Sequence, residues 1–227
     1  MMKRSKVVIK VIVYIIITGI VISLSILHAL ADLPQLARLH YDGGGDWYND
    51  PDTLPNLVRF VNPTLNSNFS TEQAVVRLTE ANLFDHPFIF MTGHGNISFS
   101  ERDVRNLRDY LLKGGFLYAD DDYGMDEAFR REIRKVFPDR EMIELPASHP
   151  LFHCYFSFPQ GIPKIHEHDG KRPQAFGIFD DTGRLMVLYT YETNISDGWS
   201  DAHDNPPEVS EEAFRMGTNI LYFITTQ

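Results

Sequence analysis

Three adjacent aspartates, Asp120, Asp121 and Asp122, follow a short apolar run that is typical of a core strand. Adjacent carboxylates suit hard divalent cations, and an imidazole such as that of His94 suits zinc or manganese. Because carboxylates this close repel one another and resist burial, we expect them to lie partly solvated at the rim of a cleft. Each could instead cap the helix predicted to begin near Met125 or make Asx-turn hydrogen bonds. In an extended strand, Asp120 and Asp122 would share a face and Asp121 would point away.

A second group of possible metal ligands, His166, His168 and Asp169, lies in the segment HEHD. The two histidines alternate, so on a strand both would face the same way. The neighbouring Pro163 and Gly170 favour a loop instead. A loop of this composition can chelate a metal or can be a hydrogen-bonded turn.

The remaining histidines and the single cysteine give weaker indications of chemistry. His149 and His153 are four residues apart, but their aromatic neighbours favour packing over metal binding. His203 lies in a proline-rich loop without a ligand-spacing signature. Cys154 is the only cysteine and can form no intramolecular disulfide.

A glycine-rich loop, YDGGGDWY, follows the first apolar run and contains Gly43, Gly44, Asp46 and Trp47. Glycines admit a ligand close to the backbone or simply permit a sharp turn. The loop has neither the GxGxxG nor the GxxxxGK[ST] pattern, so it does not support a nucleotide site. Trp47 could stack on a sugar or pack in the core.

These segments meet in one predicted cleft, because ligands of open α/β sheets bind beyond the carboxyl ends of strands. Both the aspartates and the segment TGHG follow predicted strands. The expected lining of the cleft is Gly43, Gly44, Asp46, Trp47, Gly93, His94, Gly95, Asp120, Asp121 and Asp122.

The elements that must position these residues alternate between apolar runs and stretches of helical periodicity. Strands are predicted at residues 35–41, 74–79, 87–93, 116–120 and 141–146, and a hairpin is predicted at residues 174–191. Helices are predicted at residues 55–62, 100–113, 125–137 and 210–224. This alternation predicts a three-layer α/β fold of the flavodoxin-like kind, with a mainly parallel sheet between helices.

Two serines mark predicted helix starts, and one segment breaks the pattern. Ser100 with Asp103 resembles a capping box, and Ser210 is expected to cap the last helix. The His/Pro-rich residues 147–172 are predicted to form a long insert or lid. We expect residues 32–227 to form one α/β domain.

The charge distribution argues against nucleic acid as a partner. The formal net charge is −10, and the first 31 residues hold four basic and no acidic side chains, which leaves −14 on residues 32–227. Sequence-independent nucleic-acid binding depends on Lys and Arg contacts to phosphate, which this acidic domain offers poorly. The acidic balance favours solubility instead.

The N-terminal sequence predicts export. Basic residues precede an uncharged apolar run at residues 11–27, which is followed by the small-x-small pattern of residues 29–31. Residues 1–31 are therefore predicted to be a cleaved signal peptide or a retained inner-membrane anchor. Either alternative places residues 32–227 in the periplasm or cell envelope.

The motifs RLHYDGGGDWYNDP, FMTGHGNISFSERDVRNLRDYLLKGGFLYADDDYGMDEAFRREI, ELPASHPLFHCYF, PKIHEHDGK and EAFRMGTNILYF resemble a bacterial family described as domain of unknown function 4159. The resemblance covers about residues 36–225. The family is considered similar in fold to class I glutamine amidotransferases, whose nucleophilic cysteine lies at an elbow that falls here near residues 120–122. Those positions hold aspartates, and Cys154 lies far downstream, so the resemblance does not imply glutamine hydrolysis.

Two functional hypotheses follow. The first is a non-catalytic ligand-binding or assembly module of the cell envelope. The resemblance implies partners for such a module, because some relatives are associated with membrane proteins bearing von Willebrand-type domains and with chaperone-like ATPases. The alternative is a metal-assisted hydrolase of a small or carbohydrate substrate. In that enzyme Asp120 or Asp121 would be a metal ligand or base, and His94 would be an acid or base.

Overall fold

The computed structural model describes Ile16, residues 33–166 and residues 168–227. Contacts divide the chain into residues 1–34 and residues 35–227, and the second unit is described below. The predicted signal or anchor at residues 11–27 lies outside the described residues, apart from Ile16. Within the described part, each helix is too short or too polar to cross a membrane.

A seven-stranded sheet forms the centre of the second unit. Its strands are β1 (Ala37–Leu39), β2 (Ala74–Val76), β3 (Phe88–Met91), β4 (Phe116–Asp120), β5 (Ile143–Glu144), β6 (Gln174–Phe179) and β7 (Leu185–Tyr191). The strand order is β2-β1-β3-β4-β7-β6-β5. The first five strands in this order are parallel, and β6 and β5 add to the edge as antiparallel strands. The predicted mainly parallel sheet and the predicted hairpin are both confirmed.

Helices cover both faces of the sheet. They are α1 (Thr53–Leu65), α2 (Glu101–Leu112), α3 (Asp126–Val136) and α4 (Pro207–Thr226). Buried residues of α2 and α3 join one hydrophobic cluster, and buried residues of α1 and α4 join the other. The three-layer arrangement predicted from the alternating pattern is therefore confirmed.

Strand β4 shows why its sequence is continuously apolar. Leu117 and Ala119 contribute to the cluster under α2 and α3, whereas Phe116 and Tyr118 contribute to the cluster under α1 and α4. A central parallel strand with both faces covered needs apolar side chains at every position. The apolar run ends where β4 leaves the sheet, and the aspartates begin there.

Local capping signals were partly informative. Ser100 caps α2 in a capping box with Asp103, as predicted. The prediction that Ser210 caps the last helix was wrong, because α4 begins earlier, at Pro207. Proline has no amide hydrogen and a fixed φ, and it therefore fits the first helical position without losing a hydrogen bond.

The described part of the His/Pro-rich residues 147–172 is largely irregular, and several of its apolar residues are buried. It contains a short 3₁₀ helix at Pro150–Phe152. Leu151, Phe158 and Ile162 are buried and join the cluster under α1 and α4. The segment is therefore part of a packed layer, since its apolar side chains fill the core.

Candidate functional site

The carboxyl ends of the parallel strands β1, β3 and β4 lie at the same end of the sheet. The segment after β7 begins at that end too, because β7 is parallel to β4. The structure buries the three aspartates there: Asp120, Asp121 and Asp122 are 0%, 4% and 3% exposed. The expectation of partly solvated carboxylates was therefore wrong. Hydrogen-bond donors from distant parts of the chain surround them, and this is what makes their burial tolerable.

Asp120 anchors the segment that follows β7. Its Oδ1 accepts hydrogen bonds from the hydroxyl groups of Thr190 and Thr193, and its Oδ2 accepts from the backbone N–H of Ser196 at 2.7 Å. Complete burial raises the pKa of Asp120 to about 6, although these hydrogen bonds oppose the shift. Asp120 is thus a positioning residue that fixes the path of the chain.

Asp121 faces a different environment. Its Oδ1 accepts a hydrogen bond of 2.8 Å from the backbone N–H of Met125, just before α3. Burial raises the pKa of Asp121 to about 7, and the neighbouring carboxylates of Asp126 and Asp120 raise it further. Asp121 therefore stabilises the turn that leads into α3, but it does not cap that helix, whose N-cap residue is Met125.

Asp122 points into a cluster of polar side chains. Its Oδ2 accepts a 2.6 Å hydrogen bond from Asn49, and its Oδ1 accepts a 3.0 Å hydrogen bond from Asn194. The Nδ1 atom of His94 lies 3.3 Å from Asp122 Oδ2. Burial, followed by the charge of Asp197, raises the pKa of Asp122 to about 6.

Asp46 and His94 form a pair at the exposed side of this cluster. Asp46 accepts hydrogen bonds from the backbone N–H of His94 and, at 3.0 Å, from its Nδ1. Desolvation alone would lower the pKa of His94, but the carboxylates of Asp122 and Asp46 raise it above its ordinary value. Gly93 permits this approach: it has φ +133°, and a Cβ there would lie 2.8 Å from Asp46 Oδ1 and 2.5 Å from the Tyr41 hydroxyl.

Two further histidines converge on Asp197. His166 Nδ1 lies 2.9 Å from Asp197 Oδ2, and His203 Nε2 lies 3.6 Å from Asp197 Oδ1. His203 Nε2 also lies 2.8 Å from Asp50 Oδ2. Desolvation would lower the pKa of His203, but Asp50 and Asp197 raise it. These contacts connect a loop before α1 with the segments on either side of β6 and β7.

Metal-ligand geometry arises twice in this region, with Asp197 in both groups. In one group, atoms of His166, Asp197 and His203 all lie within 4.8 Å of one another. In the other, oxygens of Asp50, Asp122 and Asp197 do so. We refer to the seven converging side chains as the Asp/His cluster: Asp46, Asp50, His94, Asp122, His166, Asp197 and His203.

Asparagines hold the cluster from outside. Asn194, itself 1% exposed, donates through Nδ2 to both Asp122 and Asp197 at 3.0 and 2.8 Å. Asn205 donates through Nδ2 to the backbone carbonyl of Asp197, which turns its Oδ1 toward His166 Nε2 at 2.7 Å. Such outer hydrogen bonds fix the orientation and tautomer of metal-binding side chains.

Comparison with known families assigns the chain to a family. The family model described as domain of unknown function (DUF4159) matches residues 35–225. The chain belongs to the DUF4159 family. The comparison with curated proteins gave no match. All members of the Asp/His cluster fall inside the matched residues, so in this chain the cluster lies within the DUF4159 domain.

Several predicted cleft residues of this DUF4159 domain shape the site without joining the cluster. Gly43 has φ +121°, and a Cβ there would lie 2.6 Å from the backbone nitrogen of Ser98. Gly44 and Gly95 also have positive φ values, as turns in this loop region require. Trp47 stacks on His40 with ring centroids 3.9 Å apart and packs against the core, in line with the packing alternative.

The HEHD segment of the DUF4159 domain divides between two places. His166 belongs to the Asp/His cluster. His168 instead stacks on Tyr123 with ring centroids 4.9 Å apart, and Asp169 accepts a hydrogen bond from the Tyr123 hydroxyl.

The other candidates outside the cluster have structural contacts. His149 lies among the rings of Phe152, Phe179 and Phe223. The Cys154 thiol donates to backbone carbonyls at 3.4 Å, and burial raises its pKa. The predicted aromatic packing is confirmed for His149 but was wrong for His153, which is exposed and contacts the Ala147 carbonyl.

Sequence reasoning missed Asp50, Asn194 and Asp197 and gave His203 no role. These residues lie in loops and in two short 3₁₀ helices, Ser196–Trp199 and Asp201–His203, where no periodicity or ligand spacing marks them. The only available signal was composition: the segments NISDGWS and DAHDNPP are dense in Asp, Asn, His and Ser. That signal is shared by ordinary turns, so it could not identify the cluster by itself.

Proposed function

We propose that this DUF4159 domain binds a divalent transition metal in the Asp/His cluster and is a metal-assisted hydrolase. The protein ligands are His166, Asp197 and His203, and the carboxylates of Asp50 and Asp122 complete the centre. Two imidazoles with one carboxylate are the ligand set of several catalytic zinc sites, which keep a further position open.

The observation that best supports this proposal is the contact between His166 and Asp197. Asn205 Oδ1 accepts a hydrogen bond from His166 Nε2, so a neutral His166 directs the lone pair of Nδ1 toward Asp197 Oδ2. These atoms are 2.9 Å apart. Two acceptors at this distance need a proton or a cation between them. Two metal bonds of about 2.1 Å place their ligand atoms about 3 Å apart at the right angle of an octahedral centre and about 3.4 Å apart at the tetrahedral angle usual for zinc.

Charge supports the same proposal. Asp122 and Asp197 are each 3% exposed. Among the described residues, their ion-pair partners are the histidines His94, His166 and His203. Buried carboxylates this close strongly disfavour the ionised state unless positive charge compensates them. A divalent cation would supply that charge without requiring these three histidines to be protonated.

The hydrolytic role rests on His94. Its Nδ1 is held by Asp46 and Asp122, while the side chain remains 48% exposed. An imidazole oriented by a carboxylate through one nitrogen can transfer a proton through the other. When bound, a metal of this kind lowers the pKa of a coordinated water toward neutrality. His94 would then transfer protons to or from the substrate at the open side of the cluster.

The roles first considered for Asp120 and Asp121 pass to other residues. Asp120 is occupied by Thr190, Thr193 and Ser196, and Asp121 by the N–H of Met125. Asp122 is the member of the triplet that contacts the cluster. We therefore propose Asp122, rather than Asp120 or Asp121, as the metal ligand, and we retain His94 as the acid or base.

Metal analysis tests the proposal. The purified full chain should retain about one equivalent of zinc or manganese by elemental analysis, and the chelator-treated chain should bind the same metal in a calorimetric titration. His203→Ala should weaken binding by at least about tenfold. His153→Ala is the matched control, because His153 is exposed and contacts only the Ala147 carbonyl among its described partners. Absence of a bound metal, or equal binding by both variants, would leave the non-catalytic envelope module as the better hypothesis.

Export is part of the proposal and is supported by the basic and apolar order of residues 1–31. A reporter fused after residue 40 should be active outside the cytoplasm. If the signal is cleaved after residue 31, the mature protein begins at Asp32. A reporter active only in the cytoplasm would contradict the proposed location.

A further inference from the structure

A cavity of about 350 Å³ is lined by several residues that are close in sequence to members of the Asp/His cluster. We name it the tyrosine cavity after Tyr123 and Tyr191, which line it together with His168 and Lys171. Its size falls at the lower end of the range for small-molecule sites. A single sugar ring is of suitable size for such a space.

The tyrosine cavity shares its walls with the segments that carry the cluster. Asp121 and Tyr123 line the cavity and flank the cluster residue Asp122 in sequence. His168 follows the cluster residue His166 by two positions. Tyr123 also forms a β-bridge with His94. A ligand in the cavity would therefore touch the same backbone segments that hold the proposed metal ligands.

The chemistry of the lining selects among ligands. Five carboxylates and one lysine line the cavity, which disfavours an anionic ligand such as a phosphate ester. An apolar ligand would desolvate these carboxylates without replacing their hydrogen bonds.

Cationic ligands are disfavoured because much of the negative charge already has a partner. Asp126 pairs with Arg130 at 2.6 Å, Asp169 with Lys171 at 3.3 Å, and Glu192 with Lys164 at 3.4 Å. Paired carboxylates still accept hydrogen bonds from hydroxyl groups. A neutral polyhydroxylated ligand therefore matches the lining best.

One aromatic ring of the cavity keeps an exposed surface. The residue Tyr123 is 51% exposed, and its ring stacks on His168 at an interplanar angle of 25°. A sugar ring offers an apolar C–H face for an aromatic ring and hydroxyl groups for the carboxylates that line the cavity.

We infer that the tyrosine cavity binds one ring of a neutral carbohydrate, with Tyr123 as the stacking platform and the lining carboxylates as hydrogen-bond acceptors. This inference rests on the proposed function, because it names the substrate class of the proposed hydrolase. Binding in the cavity itself does not require the metal, since neither Tyr123 nor His168 belongs to the metal-ligand set.

Saturation-transfer NMR on the full chain tests the inference with glucose, galactose and N-acetylglucosamine as probes. Glucose 6-phosphate and spermidine serve as anionic and cationic comparisons. We expect at least one neutral sugar to bind with a dissociation constant of about 1 mM, as is usual for a ligand of this size. Binding should persist in EDTA and in His203→Ala.

The Tyr123→Ala variant should weaken sugar binding by about tenfold, whereas Tyr123→Phe, which keeps the ring, should retain most of it. Phe84→Ala is the matched control, because Phe84 is similarly exposed at 49% and does not line the cavity. Circular dichroism checks that each variant is folded.

The outcomes separate this inference from the proposed function. Failure of all three neutral sugars to bind a chain that does bind metal would overturn the inference alone. Preferential binding of glucose 6-phosphate or spermidine would also overturn it. Sugar binding that Tyr123→Ala abolishes in a chain that binds no metal would support the cavity and refute the metal centre.

Discussion

Asp122→Asn should weaken metal binding while making the metal-free protein more stable. Asp121→Asn is a matched control, because the two aspartates are adjacent, are both buried and undergo the same substitution. Asp122 contacts His94 and shares a hydrogen-bond donor with Asp197, whereas Asp121 accepts from Met125. Metal affinity should therefore fall by about 10- to 100-fold in Asp122→Asn and stay unchanged in Asp121→Asn.

The gain in stability follows from the pKa of Asp122. Burial and Asp197 raise that pKa to about 6, against about 3.9 in an unfolded chain. Ionised Asp122 thus opposes folding of the metal-free protein by up to about 3 kcal/mol at pH 7. Asparagine keeps one acceptor oxygen but loses one hydrogen bond, which costs about 1 kcal/mol. The net gain of about 2 kcal/mol should raise Tm by about 4–8 °C for a chain of this length.

The contribution of Asp122 to stability depends on pH. Because the pKa of Asp122 is higher in the folded state, its contribution to the free energy of unfolding is most favourable at about pH 4 and below, and it is lost as the pH rises through 6. The difference in the free energy of unfolding between Asp122→Asn and the wild type should therefore shrink below about 1 kcal/mol at pH 4.

Calorimetric metal titration and thermal melting of the metal-free chains measure the two effects. Equal metal affinity of the Asp121→Asn and Asp122→Asn variants would refute the assignment of Asp122 to the centre. A lower Tm of Asp122→Asn at pH 7 would refute the charge-repulsion argument.

Three further changes test other parts of the structure. Urea unfolding of the metal-free wild type should show the free energy of unfolding falling from pH 4 to pH 7. The pKa values of Asp120 and Asp121 are raised to about 6 and about 7, so the folded state keeps protons that the unfolded chain releases. A free energy of unfolding that rises from pH 4 to pH 7 would contradict this prediction. Cys154→Ser should change metal affinity less than about twofold and stability by less than about 1 kcal/mol, because the half-buried thiol makes only weak hydrogen bonds. Loss of metal binding in a folded variant would point to a thiol role. Gly93→Ala should lower the free energy of unfolding by about 1–3 kcal/mol, because its φ is +133° and its Cβ would meet the Tyr41 hydroxyl at 2.5 Å; a thermal melt unchanged from the wild type would show that the loop adapts.

Local physical rules were sufficient for most of the fold. Continuous apolar runs predicted β3 and β4, because both faces of these strands are covered by helices. The capping box at Ser100 located the start of α2. The start of α4 was missed because Pro207, rather than Ser210, occupies the first helical position.

The site was predictable only where it depends on strand ends. Asp122 and His94 follow β4 and β3, so their approach to one edge follows from the parallel sheet. Asp197 and His203 lie in two short 3₁₀ helices after β7. Their position depends on hydrogen bonds to Asp120 from residues 190–196. No local pattern encodes those long-range contacts.

The burial of the aspartates was mispredicted for a related reason. Charge repulsion argues for solvation when only the three neighbouring carboxylates are considered. The structure supplies hydroxyl, amide and backbone donors from segments more than 60 residues away from Asp120 and Asp122. Such donors favour burial of the aspartates, but the local sequence does not predict them.

The proposed function requires one transition metal to bind between His166, Asp197 and His203. A zinc-edge anomalous difference map from crystals of the full chain grown with zinc tests this site most directly. We expect a single strong peak about 2.0–2.2 Å from His166 Nδ1, an Asp197 carboxylate oxygen and His203 Nε2. A map with no peak at this position, while His166 Nδ1 and Asp197 Oδ2 remain about 2.9 Å apart, would contradict the proposed metal site.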